Sequence, residues 1–189
     1  MIRKLTMLFL VVTLTLHSVE VIAQRDNVVS LKAVEVELGV GLATAANRLP
    51  AYGKSRQGVD ANIELRYNFE AQPVDLGLYT SVCSIYRVGR SGNFVSMHNF
   101  ISKNLLVTSD YNFNKGHGVS PFAGLGVGLA WSNINADGSP HGTHLAIMPR
   151  VGVELSNKLR ITVAYKLFDR ANNHLTFSLG YLFGGGARP

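Results

Sequence analysis

Residues 59–69 read VDANIELRYNF, and this stretch decides the fold because apolar and polar side chains alternate in it at every position. A period of two is that of a β-strand, whose successive side chains point to opposite faces. A helix, at about 3.6 residues per turn, would scatter the same residues around its circumference. The stretch therefore predicts a strand with one apolar face and one polar, partly charged face.

The same alternation recurs along the chain and predicts eight strands. Their approximate ranges are residues 33–43, 59–69, 74–88, 101–113, 122–132, 145–155, 159–167 and 174–183. In the third range, Ile85 breaks the parity of the apolar face, which predicts a β-bulge there.

The segments between the predicted strands alternate in length. Polar connections, long or rich in glycine, lie at residues 44–57, 89–97 and 133–144, whereas tight turns lie at residues 70–73, 114–118 and 156–158. Long loops at one end, with short turns and both termini at the other, are typical of transmembrane barrels. We therefore predict an all-β, eight-stranded antiparallel up-and-down transmembrane β-barrel over residues 32–183, with a short tail at residues 184–189.

The N-terminus predicts the compartment. Arg3 and Lys4 precede an apolar stretch, and small residues lie before Gln24, so residues 1–23 are expected to be a cleaved secretory signal. Residues 24–31 would then form a short periplasmic segment. Beyond the signal, no apolar run reaches the roughly 18 residues of a membrane-spanning helix, which excludes a helical membrane bundle.

Composition narrows the class further. Of 189 residues, 47% are hydrophobic and 16% are charged, with a net charge of +6. This charged fraction is below the roughly 25% of soluble domains, which argues against a disordered chain and against a nucleic-acid-binding one. Cys83 is the single cysteine, so an internal disulfide is excluded, and we interpret it as a small wall residue.

A closed barrel has no unpaired edge, which is the condition for a sheet to lie in hydrocarbon. The apolar faces are then expected to contact lipid, and the polar faces to line the interior. Aromatic residues near the predicted turns suit the membrane interface; they are Tyr67, Phe69, Tyr111, Phe113, Tyr181 and Phe183. A soluble lipocalin-like barrel with the faces reversed stays open, because periodicity alone does not distinguish inside from outside.

Two segments carry a family resemblance: residues 121–130, PFAGLGVGLA, and residues 149–155, PRVGVEL. With the signal and the eight alternating segments, they resemble the small outer-membrane barrels of the OmpA, OmpX and OmpW types. The resemblance implies an outer-membrane location in a Gram-negative bacterium and contact with the outer-membrane assembly machinery. Such barrels usually end on an aromatic residue, whereas here Phe183 is followed by six more residues.

Charges on the polar faces are expected to meet inside the barrel. The predicted lumen network comprises Glu35, Glu37, Asp60, Glu64, Arg66, Arg150, Glu154, Arg160 and Lys166. Strand order places Glu64 and Arg150 near one depth, and Asp60 and Lys166 near another. An eight-stranded barrel is just wide enough for its own side chains to fill it, so a plug of paired charges is favoured over a narrow pathway.

Three other patterns predict no catalytic, cofactor or metal site. The Gly124, Gly126 and Gly128 spacing is not that of a nucleotide-binding loop, and these glycines are expected to make room for side chains of the facing wall. His141 and His144, with Asp137, are interpreted as part of a solvated loop. His174 and Thr176 resemble the His-x-Ser pair of lipid A deacylases, but their parity points inward.

Basic residues are expected around the loops, where guanidinium groups would face lipopolysaccharide phosphates. They are Arg48, Lys54, Arg56 and Arg90, with Arg87 at the edge of the second loop. The favoured function is a monomeric, non-enzymatic outer-membrane barrel with a structural or surface-interaction role and lipid and lipopolysaccharide as partners. A small-solute or hydrophobic-compound channel, and then a lipid A modifying enzyme, are the alternatives.

Overall fold

The computed structural model describes residues 32–47, 54–69, 72–91, 94–134 and 140–184. The strands are β1 (Val34–Ala45), β2 (Lys54–Asn68), β3 (Val74–Ser91), β4 (Phe94–Asn112), β5 (Val119–Ile134), β6 (Pro140–Leu155), β7 (Leu159–Lys166) and β8 (His174–Phe183). Each strand pairs antiparallel with its neighbours in sequence, and β8 closes on β1. The predicted eight-stranded up-and-down barrel is thus confirmed.

The barrel has two ends, which we name by their connections. The turn end carries residues 69, 72–73, 113–118 and 156–158 together with the described chain ends, residues 32 and 184. The loop end is the opposite end, where β1, β3, β5 and β7 finish and β2, β4, β6 and β8 begin; among the described residues it carries 46–47 and 167–173. The part of the chain that the structure describes holds no helix with the length and hydropathy needed to span a bilayer. The predicted signal, residues 1–23, lies outside the described residues.

The apolar parity faces outward. In β8, every second side chain from Leu175 to Phe183 is exposed, and those between them, from His174 to Leu182, are buried. The reversed, lipocalin-like arrangement is therefore wrong. At the turn end, the rings of Tyr67 and Phe69 meet edge to face at 5.2 Å, and those of Tyr181 and Phe183 meet at 4.8 Å.

The loop-end connections are shorter than the sequence predicts. The ladder between β3 and β4 continues as far as Ser91 and Phe94, so the predicted loop at residues 89–97 is mostly strand. The predicted loop at residues 133–144 is likewise strand from Pro140. A transmembrane strand needs only about 9–11 residues, so these strands extend beyond a bilayer. On β4, Val95 and Met97 keep the outward apolar parity and are exposed. On β3, residues 89–91 read Gly-Arg-Ser and interrupt the apolar alternation, so the sequence predicts a loop there.

The predicted bulge at Ile85 is also misplaced. Ile85 is buried inside the barrel, next to Ala43 and Cys83, and β3 keeps its parity through it. The register shift lies instead in β2, between Ser55 and Gly58. An apolar residue on the lumen face was therefore mistaken for a change of face.

The outward face of β5 provides a test of the membrane assignment. Val127 is 44% exposed and lies between Val107 of β4 and Ile147 of β6, which are also exposed. Val127→Arg should lower the free energy of unfolding in lipid vesicles by roughly 2–4 kcal/mol, because the guanidinium would lie in hydrocarbon. Fluorescence of Trp131, the single tryptophan, reports unfolding. Val127→Leu is the control, and equal stability of the two variants would contradict an outward, lipid-facing Val127.

Candidate functional site: the charged lumen

The interior holds most of the charge of the barrel. Among the described residues, thirteen charged side chains are buried, namely Glu35, Glu37, Asp60, Glu64, Asp75, Asp110, Glu154, Arg66, Arg87, Lys115, Arg150, Arg160 and Lys166. Seven are acids and six are bases, so the interior is close to neutral. All nine residues of the predicted lumen network are among them.

Arg150, from β6, lies at the centre of this network. Its Nη1 and Nη2 donate to Glu64 Oε2 and Oε1 of β2 at 2.8 and 2.6 Å. Its Nε and Nη2 donate to Asp110 Oδ1 and Oδ2 of β4, both at 2.8 Å. Glu64 Oε1 also accepts from Thr108 Oγ1 at 2.6 Å. One planar guanidinium thus binds two carboxylates bidentately and joins three strands across the lumen.

Arg160 and Arg66 continue the network toward the turn end. Arg160 of β7 forms an ion pair with Asp110, and its guanidinium lies 3.6 Å from the ring centroid of Phe122. Arg66 Nη2 lies 3.3 Å from Glu35 Oε2, and its Nη1 lies 3.4 Å from Glu154 Oε2. Each base therefore contacts acids from other strands.

Toward the loop end, the character of the interior changes. Tyr79 and Leu106 are buried there with Met148 and with Ala130, Ala146 and Ala164. Lys166 Nζ lies 5.3 Å from the Tyr79 ring centroid and donates to Asp60 Oδ2 at 2.8 Å and to Ser81 Oγ at 2.6 Å. The Asp60–Lys166 pair is thus separate from the Arg150 cluster.

Two pairs of acids face each other directly across neighbouring strands. Glu37 is the register partner of Glu64, and Asp75 is that of Asp110. Like charges in such positions destabilise a sheet unless cations lie between or beside them. Arg160 Nε lies 3.6 Å from Glu37 Oε2, and Lys115 forms an ion pair with Asp75. The bases thus allow acids to occupy adjacent positions.

Glycines make lateral space for these acids. A Cβ on Gly124 would lie 1.8 Å from Asp110 Oδ1, and one on Gly180 would lie 2.3 Å from Glu37 Oε1. In both cases the acid belongs to the neighbouring strand. For Gly124 the sequence predicts a side chain of the facing wall instead, and this prediction is wrong. The reason is that a side chain lying along the sheet passes over the adjacent strand before it reaches the lumen axis.

A buried cation binds backbone carbonyls near each end of the barrel. At the turn end, Lys115 Nζ donates to the carbonyls of Phe69, Gln72 and Val74 at 3.1–3.3 Å. At the loop end, Arg87 donates to Asn47 O at 3.1 Å and to Ala171 O at 2.9 Å. Arg87 is fully buried and lies over the Phe100 ring, so its predicted exposure at the loop edge is wrong.

Sequence reasoning omitted Asp75, Asp110, Lys115 and Arg87 from the network. Parity was the available signal for Asp75, Asp110 and Arg87, since all three lie on inward positions of their strands. Lys115 gave no such signal, because it lies in a turn and reaches the barrel mouth through its long side chain. Its position depends on tertiary contacts alone.

The predicted loop residues fall partly outside the described part of the chain and partly in strands. Arg48 and Asp137 lie outside the described residues, as does most of the tail at residues 184–189. The structure places Lys54 and Arg56 in β2 and Arg90 in β3, at the loop end. These three are therefore strand residues, and their contact with lipopolysaccharide stays a prediction. His141 and His144 lie in β6, not in a loop.

Little space remains beside the Arg150 cluster. The void lined by Glu37, Tyr79, Arg150 and their neighbours has a volume of about 10 Å³. That is about the minimum that a single water requires. At this level the lumen is filled by side chains.

Comparison with solved structures identifies the fold. The chain is similar to the crystal structure of Neisserial surface protein A, with a TM-score of 0.60 and 15% identity over 82% of this chain and 98% of that chain. It is also similar to the outer-membrane enzyme PagL, with a TM-score of 0.46 and 16% identity over 79% of this chain and 98% of that chain. The chain is also similar to the Yersinia pestis outer membrane protein Ail in a phospholipid bilayer nanodisc. The TM-score is 0.49 and the identity is 17%, over 79% of this chain and 99% of that chain.

No protein-family model matches the chain, and no curated protein gives a significant match. The closed barrel, its apolar exterior and the likeness to Neisserial surface protein A together define the class. The chain has the fold of the small eight-stranded outer-membrane β-barrels, as the sequence predicts.

The Arg150 contacts predict strong coupling between Glu64 and Arg150. Arg150→Met leaves the buried Glu64 carboxylate without its cation and should cost roughly 3–5 kcal/mol of unfolding free energy. Glu64→Gln should lower the unfolding free energy by less, because Arg150 keeps its ion pair with Asp110. In the double variant the losses should be sub-additive, with a coupling term of about 0.5–3 kcal/mol in urea unfolding experiments.

A control double-mutant cycle combines Glu64→Gln with Arg87→Met. Arg87 lies eight residues along β3 from Tyr79, the register partner of Glu64, so these two losses should add. Additive losses in both cycles would contradict the pairing of Glu64 with Arg150.

Proposed function

We propose that this protein is an integral barrel of the outer membrane of a Gram-negative bacterium, exported by a signal at residues 1–23. Its role is structural or one of surface interaction, and its lumen is closed. The observation that carries the proposal is the Arg150 cluster, which crosses the barrel from β6 to β2 and β4. A conducting lumen would need water where these side chains lie.

Buried cations near both ends also support this role. At the turn end, Lys115 binds the carbonyl of Gln72 in the neighbouring β2–β3 connection. At the loop end, buried Arg87 of β3 reaches the carbonyls of Asn47 and Ala171. The proposal places the loop end outside the cell, where β3 and β4 extend beyond the bilayer. The β3–β4 hairpin and the residues around it would then provide the contact surface. Lipopolysaccharide, lipid and the assembly machinery are the proposed partners of a monomer.

The proposal assigns no catalytic residue. The His174 side chain is buried in the lumen, and Thr176 is buried beside it on the same face of β8. Thr176 donates to the carbonyl of Ala164, which occupies its hydroxyl hydrogen. A lipid substrate outside the barrel would not contact either group.

Conductance across planar bilayers tests the closed lumen. The full chain, expressed with residues 1–23, should be recovered from the outer-membrane fraction in detergent. After reconstitution, the wild-type barrel should show no steady conductance. Arg150→Ala should give cation-selective openings, because it removes the central side chain and leaves Glu64 and Asp110 without it.

Lys158→Ala is the matched control, since Lys158 is an exposed base in the turn at residues 156–158. This variant should show no steady conductance. Robust wild-type conductance that changes selectivity in Arg150→Ala would contradict a closed lumen and favour transport. Recovery of the chain in a soluble fraction would contradict the membrane location.

A further inference from the structure

A second polar cluster lies nearer the loop end, apart from the Arg150 network. Asp60 of β2, Cys83 of β3 and His174 of β8 all face the lumen and are buried. Each offers a metal-ligating atom, and these atoms lie within 4.8 Å of one another. The proposed function gives Cys83 and His174 no task.

His174 is oriented as a metal ligand. Its Nδ1 lies 2.6 Å from the carbonyl oxygen of Asn172, which only accepts, so Nδ1 carries the hydrogen. The lone pair is therefore on Nε2, which is buried and has no partner among the described residues. A backbone carbonyl that fixes the tautomer and leaves the other nitrogen free is the usual support for a ligating histidine.

Asp60, like His174, has one side-chain atom held by hydrogen bonds and one buried acceptor atom without a partner among the described residues. Its Oδ2 accepts from Lys166 Nζ at 2.8 Å and from Ser81 Oγ at 3.3 Å. Its Oδ1 is buried and has no partner among the described residues. Buried acceptors without a donor destabilise a protein. The thiol of Cys83 has a single hydrogen and could serve only one of the two acceptors.

We propose that Asp60, Cys83 and His174 bind a thiophilic divalent cation, Zn²⁺. Imidazole, thiolate and carboxylate are the ligands that zinc accepts, whereas calcium and magnesium take oxygen ligands. Zn–S and Zn–N bonds of about 2.3 and 2.0 Å place ligand atoms roughly 3.5 Å apart in a tetrahedron. Ligand atoms that now lie up to 4.8 Å apart would therefore approach one another by about 1 Å on binding.

Binding is balanced in charge and protons. Three coordinate bonds form, the Cys83 thiol releases its proton to solvent, and no electron is transferred. The negative charges of the Cys83 thiolate and the Asp60 carboxylate balance the two positive charges of Zn²⁺. Lys166 Nζ continues to donate a hydrogen bond to Oδ2 of the same carboxylate. Three protein ligands leave one coordination position open. The site goes beyond the sequence-based expectation of no metal.

The surroundings indicate when the ion would enter. Arg87 and Phe100 lie above this cluster at the loop end, and Arg87 is hydrogen-bonded to Asn47 and Ala171. Uptake is therefore expected during folding, before the loop end closes. The bound ion would link β2, β3 and β8 across the β8–β1 closure of the barrel, so it should raise the melting temperature.

The test refolds the full purified barrel in detergent with Co²⁺, a spectroscopic substitute for Zn²⁺. One cobalt per chain should remain after desalting, with a thiolate-to-cobalt charge-transfer band and tetrahedral d–d bands that Zn²⁺ abolishes. Cys83→Ser should lose the charge-transfer band, and His174→Gln should lose the ion. His117→Gln, in the turn at residues 113–118, is the matched control and should keep both.

Heat-dependent gel mobility shows which variants are folded. If Cys83→Ser or His174→Gln fails to fold, the wild-type spectrum still decides, because Cys83 is the single cysteine and any thiolate band reports it. Folded wild-type barrel that retains no cobalt, or retains it without a thiolate band, would overturn the site. The conductance of the barrel is independent of this result, so a failed metal site would leave the proposed function standing.

Discussion

The guanidinium of Arg150 binds Glu64 of β2 and Asp110 of β4 at once, and through Asp110 it is connected to Arg160 of β7. This interaction follows from the solvent around the barrel. Since the exterior must be apolar to lie in lipid, polar residues occupy the interior, where an isolated charge is costly. An arginine shared by two carboxylates lets charges from opposite walls fill the lumen in pairs.

Other features depend on this network. Two register pairs, Glu37 with Glu64 and Asp75 with Asp110, place an acid opposite an acid. Without the neighbouring bases, the repulsion in these pairs would destabilise the sheet. Glycines at positions 124 and 180 leave lateral space for Asp110 and Glu37. Buried cations also bind backbone carbonyls near both ends: Lys115 does so in addition to its ion pair with Asp75, and Arg87 binds the carbonyls of Asn47 and Ala171. Polar contacts thus fill the lumen at the level of Arg150, and a buried apolar layer with Tyr79, Leu106 and Met148 lies toward the loop end.

Periodicity was sufficient to predict the strands, because a wall between lipid and a packed lumen imposes a period of two. It failed where that constraint ends. The β3–β4 hairpin continues beyond the bilayer, and the Gly-Arg-Ser sequence at residues 89–91 interrupts the apolar alternation of β3, so the sequence predicts a loop at its tip. Ile85 was misassigned because it is apolar on the lumen face, where the barrel has an apolar layer of its own.

The candidate site was predictable in composition but not in its contacts. Parity placed Glu64 and Arg150 inside, and strand order placed them at one depth. Asp110 has the same parity, but its role as the second partner of Arg150 depends on side-chain packing across three strands. Lys115 lies in a turn, where no periodicity applies. The approach of Cys83 to His174 likewise arises from barrel closure, since ninety-one positions separate them in sequence.

Nuclear magnetic resonance of the Arg150 side chain in lipid nanodiscs tests the central claim most directly. Arginine Nε–H and Nη–H groups that are hydrogen-bonded and shielded from water exchange slowly, and the spectrum of Arg150→Lys assigns the signals. The account predicts slow exchange and hindered rotation of the Arg150 guanidinium, because all three of its nitrogens donate to Glu64 or Asp110. Exchange as fast as that of free arginine would show water at the centre of the lumen and contradict the closed, charge-paired barrel.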